Sequence, residues 1–317
     1  AWNGKGVALE NLGRYGEALD AYTKALSIDP HYQNASYGKA SAFYYLGRYE
    51  EALNAFNNTL SIDPKYTDAW NGKGVALENL GRYEEALDAY TKALSIDPDN
   101  TFAWNGKGDA LSNLGRYQED LDAYNKALSI DQNFSLAWHY KGNALGNLGR
   151  YQEALDAYNK ALSIDQNLTD AWINKGFSLG NLGRYQESLE AYNQALSIDQ
   201  NQTLSWNGKG YALSNLGRYQ EALDAFNRAL SIDQNDTLAW NNKGVALENL
   251  GRDQEALDAY TRVLSIDPNF TLAQSNRDRI LNKGTNSLAI VILVILVCAG
   301  AIYGIYCIKK KLRNDQT

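Results

Sequence analysis

The 317-residue chain has no methionine, two histidines and two cysteines, and each shortage removes a class of function. Both cysteines, Cys298 and Cys307, lie in one apolar run near the C-terminus, so the body of the chain has neither a disulfide framework nor a thiolate metal site. His31 and His139 have no companions at zinc spacing, and no nucleophile, base and orienter set stands out. A chain with no metal, no cofactor and no catalytic activity is therefore expected. Basic residues are also in deficit: Lys plus Arg number 30 against 37 Asp plus Glu, a net charge of −7. The last nine residues (Lys309, Lys310, Lys311 and Arg313 against Asp315) contribute +3, which leaves −10 for everything before them. Nucleic acid is thereby disfavoured, because phosphate binding needs a dense basic face. The missing methionine means that the initiator is absent, so a fragment or processed chain is expected. Disorder is excluded by composition, with 44% hydrophobic and 21% charged residues.

What the chain does have is repetition. The segment AWNGKGVALENLGRY occupies residues 1 to 15 and returns unchanged at 69 to 83. Trp2, Trp70, Trp104, Trp138, Trp172, Trp206 and Trp240 are spaced by 34 or, once, by 68, with Ser36 filling the gap, so there are eight copies. Within one copy, Trp70, Leu77 and Leu80 fall at helical spacing, as do Tyr83, Ala86, Leu87, Tyr90, Ala93 and Leu94. Two helices per copy follow. Gly81 stands where the first must stop and turn, and Asp97-Pro98 ends the second. Gly74 is anomalous, since glycine inside a helix costs ~1 kcal/mol relative to alanine. Close approach of the first helix to the small Ala86 is expected to offset that.

Trp70, Gly74, Leu77, Gly81, Tyr83, Ala86, Tyr90, Ala93 and Pro98 together resemble the tetratricopeptide repeat pattern, and the likeness covers residues 1 to about 271, eight times over. The resemblance implies an all-α fold: eight 34-residue helix-turn-helix repeats stacked into a right-handed solenoid, with a concave groove lined mainly by first helices and a general role in binding proteins. One hairpin cannot bury its apolar face alone and must share it with neighbours. Residues 272–282, with Gln274 in the tryptophan slot followed by Arg277, Asp278 and Arg279, read as a capping helix, whereas the chain starts in mid-helix. Copies four to seven replace the loop proline with Gln132, Gln166, Gln200 and Gln234, which is expected to loosen the turn. Copy two lacks the tryptophan, and Tyr37 is expected to fill part of the space.

Residues that differ between copies are those the shared scaffold does not dictate. Three variable slots, those of Asn71, Val75 and Glu78, are spaced by four and three and form one stripe on the first helix. By the resemblance, this stripe faces the groove. It supplies the candidate partner-binding residues Tyr37, Ser41, Tyr44, Asp109, His139, Asn143, Ile173, Phe177 and Tyr211, several of them aromatic anchors. The rival reading is drift plus packing between copies. The stripe carries no lysine, which argues against the grip on a C-terminal carboxylate made by some family members. Lys5, Lys73 and their equivalents are expected to pack their stems on apolar surface with the amine paired to an acid. NGKGVAL fails as a phosphate loop, because no strand precedes it and no Ser or Thr follows the lysine.

Residues 288–308, LAIVILVILVCAGAIYGIYCI, are uncharged over 21 positions, and at ~1.5 Å per residue they span about 30 Å, enough for a single transmembrane helix. Residues 283–287 form a tether and 309–317 a short basic tail. Gly300 and Gly304 form a small-xxx-small pair suited to a helix homodimer. The basic tail favours a cytoplasmic C-terminus and repeats outside, where the sequons at Asn34, Asn57, Asn133, Asn167, Asn201, Asn235 and Asn269 would be open to glycosylation. A tail-anchored placement with cytoplasmic repeats is the alternative. For the sequons, the competing explanation is that Thr169 and its copies cap helix N-termini. The expected function is a membrane-anchored scaffold gripping a protein or peptide segment; the alternative is a surface spacer or self-assembling element.

Overall fold

Each first helix ends on the same device. Gly81 takes φ +71°, the left-handed region that glycine enters without steric cost, and so does its counterpart in every copy. Gly81 N–H then donates to Glu78 O at 2.9 Å and Arg82 N–H to Leu77 O at 2.9 Å, the pair of bonds that closes a helix C-terminus. The chain reverses there and a second helix begins.

A computed structural model describes residues 1–282. Its helices run α1 (Trp2–Asn11), α2 (Tyr15–Ile28), α3 (Gln33–Tyr45), α4 (Tyr49–Ile62), α5 (Thr67–Asn79), α6 (Tyr83–Ile96), α7 (Thr101–Asn113), α8 (Tyr117–Ile130), α9 (Ser135–Asn147), α10 (Tyr151–Ile164), α11 (Thr169–Asn181), α12 (Tyr185–Ile198), α13 (Thr203–Asn215), α14 (Tyr219–Ile232), α15 (Thr237–Asn249) and α16 (Asp253–Ile266). A further helix, α17, covers 271–282. No strand occurs among the described residues, and the fold is an all-α repeat solenoid. The chain divides into two compact units, Ala1–Gly183 and a second beginning at Arg184. In the first, α1 to α10 stack as five successive hairpins with α11 packed on α10; in the second, α12 packs on the α13–α14 hairpin, which with α15–α16 encloses a core containing Phe226, Tyr260 and Ile280.

The core is built on one aromatic ring per hairpin. Tyr90 is fully buried, and its ring lies on Gly74 of its own copy and on Gly106 of the next. A Cβ at Gly74 would come 2.6 Å from the Tyr90 ring, so the glycine makes room for an aromatic side chain rather than for contact with Ala86. Burying such a ring contributes roughly 2–3 kcal/mol, enough to outweigh the helix penalty of the glycine.

Two expectations about the turns and copy two are corrected. Trp138 Nε1 donates to Gln132 O at 2.9 Å just as Trp70 Nε1 donates to Pro64 O at 2.9 Å, so glutamine leaves the turn as tight as proline does. In α17, Gln274 makes the same bond to Pro268 O at 2.7 Å. In copy two, Tyr37 turns to the opposite side and packs on Phe56 and Tyr66, with ring centroids 5.9 and 5.1 Å away. A cleft of about 510 Å³ lies here, lined by Ser36, Leu26, Pro30, Lys39 and Phe43, and one of about 410 Å³ lies at the equivalent place beside Trp206. Ser36 and Thr59, both buried, join their hydroxyls at 2.9 Å beside the first.

Candidate protein-binding face

The three variable slots separate by depth. The first is largely interior: His139, Ile173, Asn71, Asn207 and Asn241 are each no more than 8% exposed. Adjacent first helices approach here, and polar residues knit them together. Asn174 Nδ2 donates to His139 Nε2 at 3.2 Å and to Asn143 Oδ1 at 2.9 Å, and Asn242 Nδ2 donates to Asn207 Oδ1 at 3.1 Å. Burial lowers the His139 pKa, so the imidazole is neutral and acts as an acceptor. His139 and Ile173 are therefore packing residues, not surface contacts, as the rival reading held for this slot.

The second and third slots receive the core tyrosines. Tyr22 donates to Glu10 Oε2 at 2.6 Å, Tyr90 to Glu78 Oε2 at 3.1 Å, Tyr124 to Asp109 Oδ1 at 2.6 Å and Tyr158 to Asn143 Oδ1 at 2.9 Å. The acceptor moves between slots: where the third slot offers Ser112 or Gly146, the second supplies Asp109 or Asn143. Where the core ring is Phe56 or Phe226, neither slot holds an acid. Asp109 and Asn143 thus serve buried hydroxyls in addition to lining the face. Burial pushes Asp109 up to about 6 and, with the charge of Asp109 adding to burial, Glu78 up to about 8.

Aromatics that serve no such partner remain on the surface. Phe177 is 58% exposed and Tyr211 49%, each touching one neighbouring ring edge-on, Tyr151 and Tyr185 respectively. Tyr44 and Tyr45 lie together, with centroids 5.4 Å apart, and Tyr45 stacks on Tyr15 at 4.8 Å. With Tyr37 and Ser41 they line a pocket of about 490 Å³ whose far side is formed by Asp68, Asn71, Asn100 and Phe102. That volume falls in the ~300–1,000 Å³ range of ligand pockets. Burial and the nearby negative charge of Asp68 push the Tyr37 phenol up to about 12.

A fourth slot escaped the sequence reading. At the start of each first helix, the position of Asp68 holds Phe102, Leu136, Leu204 and Leu238 in other copies, all exposed. Its variability was visible, but apolar residues opening a helix resemble core positions. A second omission is Asp120, 1% exposed in the slot that Ala86 fills elsewhere. Its oxygens complete no hydrogen bond, and burial raises it to about 8, with Ser112 opposing and the Asp109 charge adding.

The lysine of each copy also finds a different partner from the acid expected. Lys73 Nζ sits 5.1 Å from the Trp70 ring centroid, and Lys107, Lys141, Lys209 and Lys243 sit over their own tryptophans. The glutamate pairs instead with arginine, as Arg82 Nε does with Glu85 Oε1 at 2.7 Å. All seven sequon asparagines are exposed. Thr169 is the first residue of α11 and makes no side-chain cap; among α1 to α16, side-chain caps occur where Asn100 and Asp236 accept from Ala103 N and Ala239 N. In the sequons of Asn34 and Asn57, the hydroxyls are the buried Ser36 and Thr59 already described. Residues 283–317, including the 288–308 run, Gly300 and Gly304, lie outside the described residues. Among the described residues, no helix is long and apolar enough to cross a membrane.

A repeated interior carrying a first-helix face that varies from copy to copy defines an α-helical repeat scaffold. Three family models described as tetratricopeptide repeat match the chain: one at 37–101 and 208–269, another at 1–32, 135–168 and 169–202, and a third at 89–122 and 191–224. The chain belongs to the tetratricopeptide repeat family. Among curated proteins, no sequence match was found. Among solved structures it is similar to YrrB, described as a TPR protein with an unusual peptide-binding site, at 26% identity and a TM-score of 0.52, over 61% of this chain and 99% of that one. It also resembles a chain of the APC/C hetero-tetramer Cut9-Hcn1 (20% identity, TM-score 0.65, 84% of this chain and 52% of that one). A tetratricopeptide repeat protein from Parabacteroides merdae matches at 17% identity and TM-score 0.61, over 78% and 98%. The last two likenesses concern the fold alone.

Proposed function

We propose that the chain is a membrane-anchored scaffold whose first-helix face holds a peptide segment of a partner protein. The observation that carries this reading is the set of exposed aromatic side chains, Tyr45, Phe177 and Tyr211, at positions where other copies hold Asn, Val or Ser. Nothing in the interior requires a ring there, and rings on rigid helices anchor partners at little entropic cost. The similarity to YrrB, with its peptide-binding site, points the same way.

Anchoring rests on sequence: residues 288–308 form an uncharged run long enough to span a bilayer, followed at once by a basic tail. Gly300 and Gly304 would seat a second copy of that helix. With the tail cytoplasmic, the repeats and their seven exposed sequon asparagines face the other compartment.

The test is selection of a displayed random-peptide library against the full-length chain. Replacing Tyr44, Phe177 and Tyr211 with alanine should abolish capture of the selected peptides while the circular dichroism spectrum and melting temperature hold. Unchanged capture removes the face from the mechanism. Protease protection in intact cells separately decides the side of the membrane.

A further inference from the structure

The pocket in copy two is chemically one-sided. Its walls are aromatic, from Tyr37, Tyr44 and Tyr45 on one side and Phe102 on the other. No lysine or arginine is among the residues that line it. The polar groups on the far side are the carboxyl of Asp68 and the amides of Asn71 and Asn100. Asp68 is exposed there as a carboxylate. Asn71 is 6% exposed, and its Oδ1 is buried with no hydrogen-bond partner. The orientation of that amide is fixed, because Asn71 Nδ2 donates at 3.4 Å to Asn100 Oδ1, which itself accepts from Ala103 N at 2.8 Å.

Copy two is also where the scaffold departs furthest from itself. Tyr37 stands where other copies hold mostly Asn, Tyr44 where they hold Glu, Ser or Gly, and Tyr45 where every other copy holds Asn. Three rings brought together at positions that tolerate small polar residues elsewhere are not required for folding. Electron-rich faces beside an exposed carboxyl group call for a flat cation rich in donors. A guanidinium meets both demands: it stacks on aromatic rings, offers five N–H donors to a carboxyl group and is more weakly hydrated than an ammonium.

We infer that the copy-two pocket is an arginine-specific subsite, which takes one arginine side chain of the bound segment between the tyrosines and Asp68. The inference rests on the proposed function, since the arginine belongs to a segment lying along the same face.

The test uses the full-length chain in detergent micelles and the blocked pentapeptide acetyl-Gly-Ser-Arg-Ser-Gly-amide, with a counterpart carrying citrulline, which keeps the shape and loses the charge. The arginine peptide should bind saturably by titration calorimetry and the citrulline peptide at least about tenfold more weakly. Asp68→Asn should weaken the arginine peptide several-fold. The combined change Tyr37→Asn, Tyr44→Ser and Tyr45→Asn should abolish binding; it installs residues that other copies carry, so the fold is preserved, and melting curves verify that. Equal affinity for arginine and citrulline, no binding of either, or no effect of both variants overturns the inference. Library-selected peptides that bind through Phe177 or through Tyr211 without any arginine requirement would overturn it too and leave the proposed function standing. Loss of all peptide capture by the wild-type chain would overturn both.

Discussion

The hydroxyl of Tyr124 donates to Asp109 Oδ1 at 2.6 Å across the α7–α8 hairpin, and Asn105 Nδ2 donates to the other oxygen at 3.1 Å. The same relation recurs between Tyr90 and Glu78 and vanishes where the ring is Phe56 or Phe226. Hydroxyl and acceptor therefore act as one unit in these copies, whereas copy six carries Tyr192 with Phe177 and Gly180 in the two slots. Tyr124→Phe removes the donor, and Asp109→Val strands the hydroxyl; each is expected to destabilise by ~1–2 kcal/mol. The double variant combines residues found in other copies and should cost less than the sum. Urea unfolding of the four proteins measures the coupling, and strictly additive costs would refute it.

Asp120 gives the stability a pH dependence with a definite sign. Its folded carboxyl keeps the proton up to about pH 8, whereas an unfolded aspartate releases it near pH ~4. Between those limits the folded chain binds more protons, so stability falls as pH rises, with the full contribution present only below the unfolded value. Glu78 and Asp109 act in the same direction. Exposed Glu85, held low by its hydrogen bond to Arg82, acts oppositely and only in the acid range. Asp120→Ala installs the residue of most other copies and is expected to stabilise by ~2–4 kcal/mol at pH 8, with the gain shrinking toward pH 4. Urea midpoints of both proteins across that range provide the check; a pH-independent difference would mean that Asp120 does not titrate.

Much of this was legible in the sequence because it is local. A period of 34 and a glycine at every turn specify hairpins, and the left-handed φ of Gly81 is a one-residue requirement. The depth of a side chain on the first helix is not local. His139 and Asp109 come from neighbouring copies and occupy adjacent slots of the same stripe, yet one is packed against Asn174 while the other reaches Tyr124, because depth depends on how closely neighbouring first helices approach. Asp120 in an alanine slot, and the coincidence of phenylalanine with missing acids, were in the aligned copies all along. Comparing packing slots as closely as surface slots would have exposed both.

Gly81 offers a direct check on the turn. Alanine there must hold φ near +71° with a Cβ, at a cost of roughly 1–2 kcal/mol. No heavy atom lies within 4 Å of the new Cβ, so the effect is one of backbone conformation alone. Gly81→Ala should lower the melting temperature, while Gly81→Asn, which tolerates this region better, should lower it less. Equal losses would show that conformation is not the cause.

The cleft beside Ser36 separates scaffold from face. In copy three the tryptophan lines the equivalent position, donates to the carbonyl six residues back and carries the lysine on its ring, whereas in copy two Lys39 lies 5.9 Å from Phe43 instead. Thr59 completes the local substitution by giving Ser36 a buried partner. Tryptophan alone would leave Thr59 without that partner and crowd Phe43, so the informative variant is the triple exchange Ser36→Trp, Phe43→Leu and Thr59→Ala, which installs the residues of copy three. The added half-buried indole should raise stability by ~1–3 kcal/mol. The aromatic pocket lies on the other side of α3, where Tyr37, Tyr44 and Tyr45 are untouched, so affinity for the arginine pentapeptide should not change. Melting curves and calorimetry on the same preparation read the two quantities independently. A stabilised protein with reduced affinity would mean that the looseness of copy two is itself part of how the pocket opens.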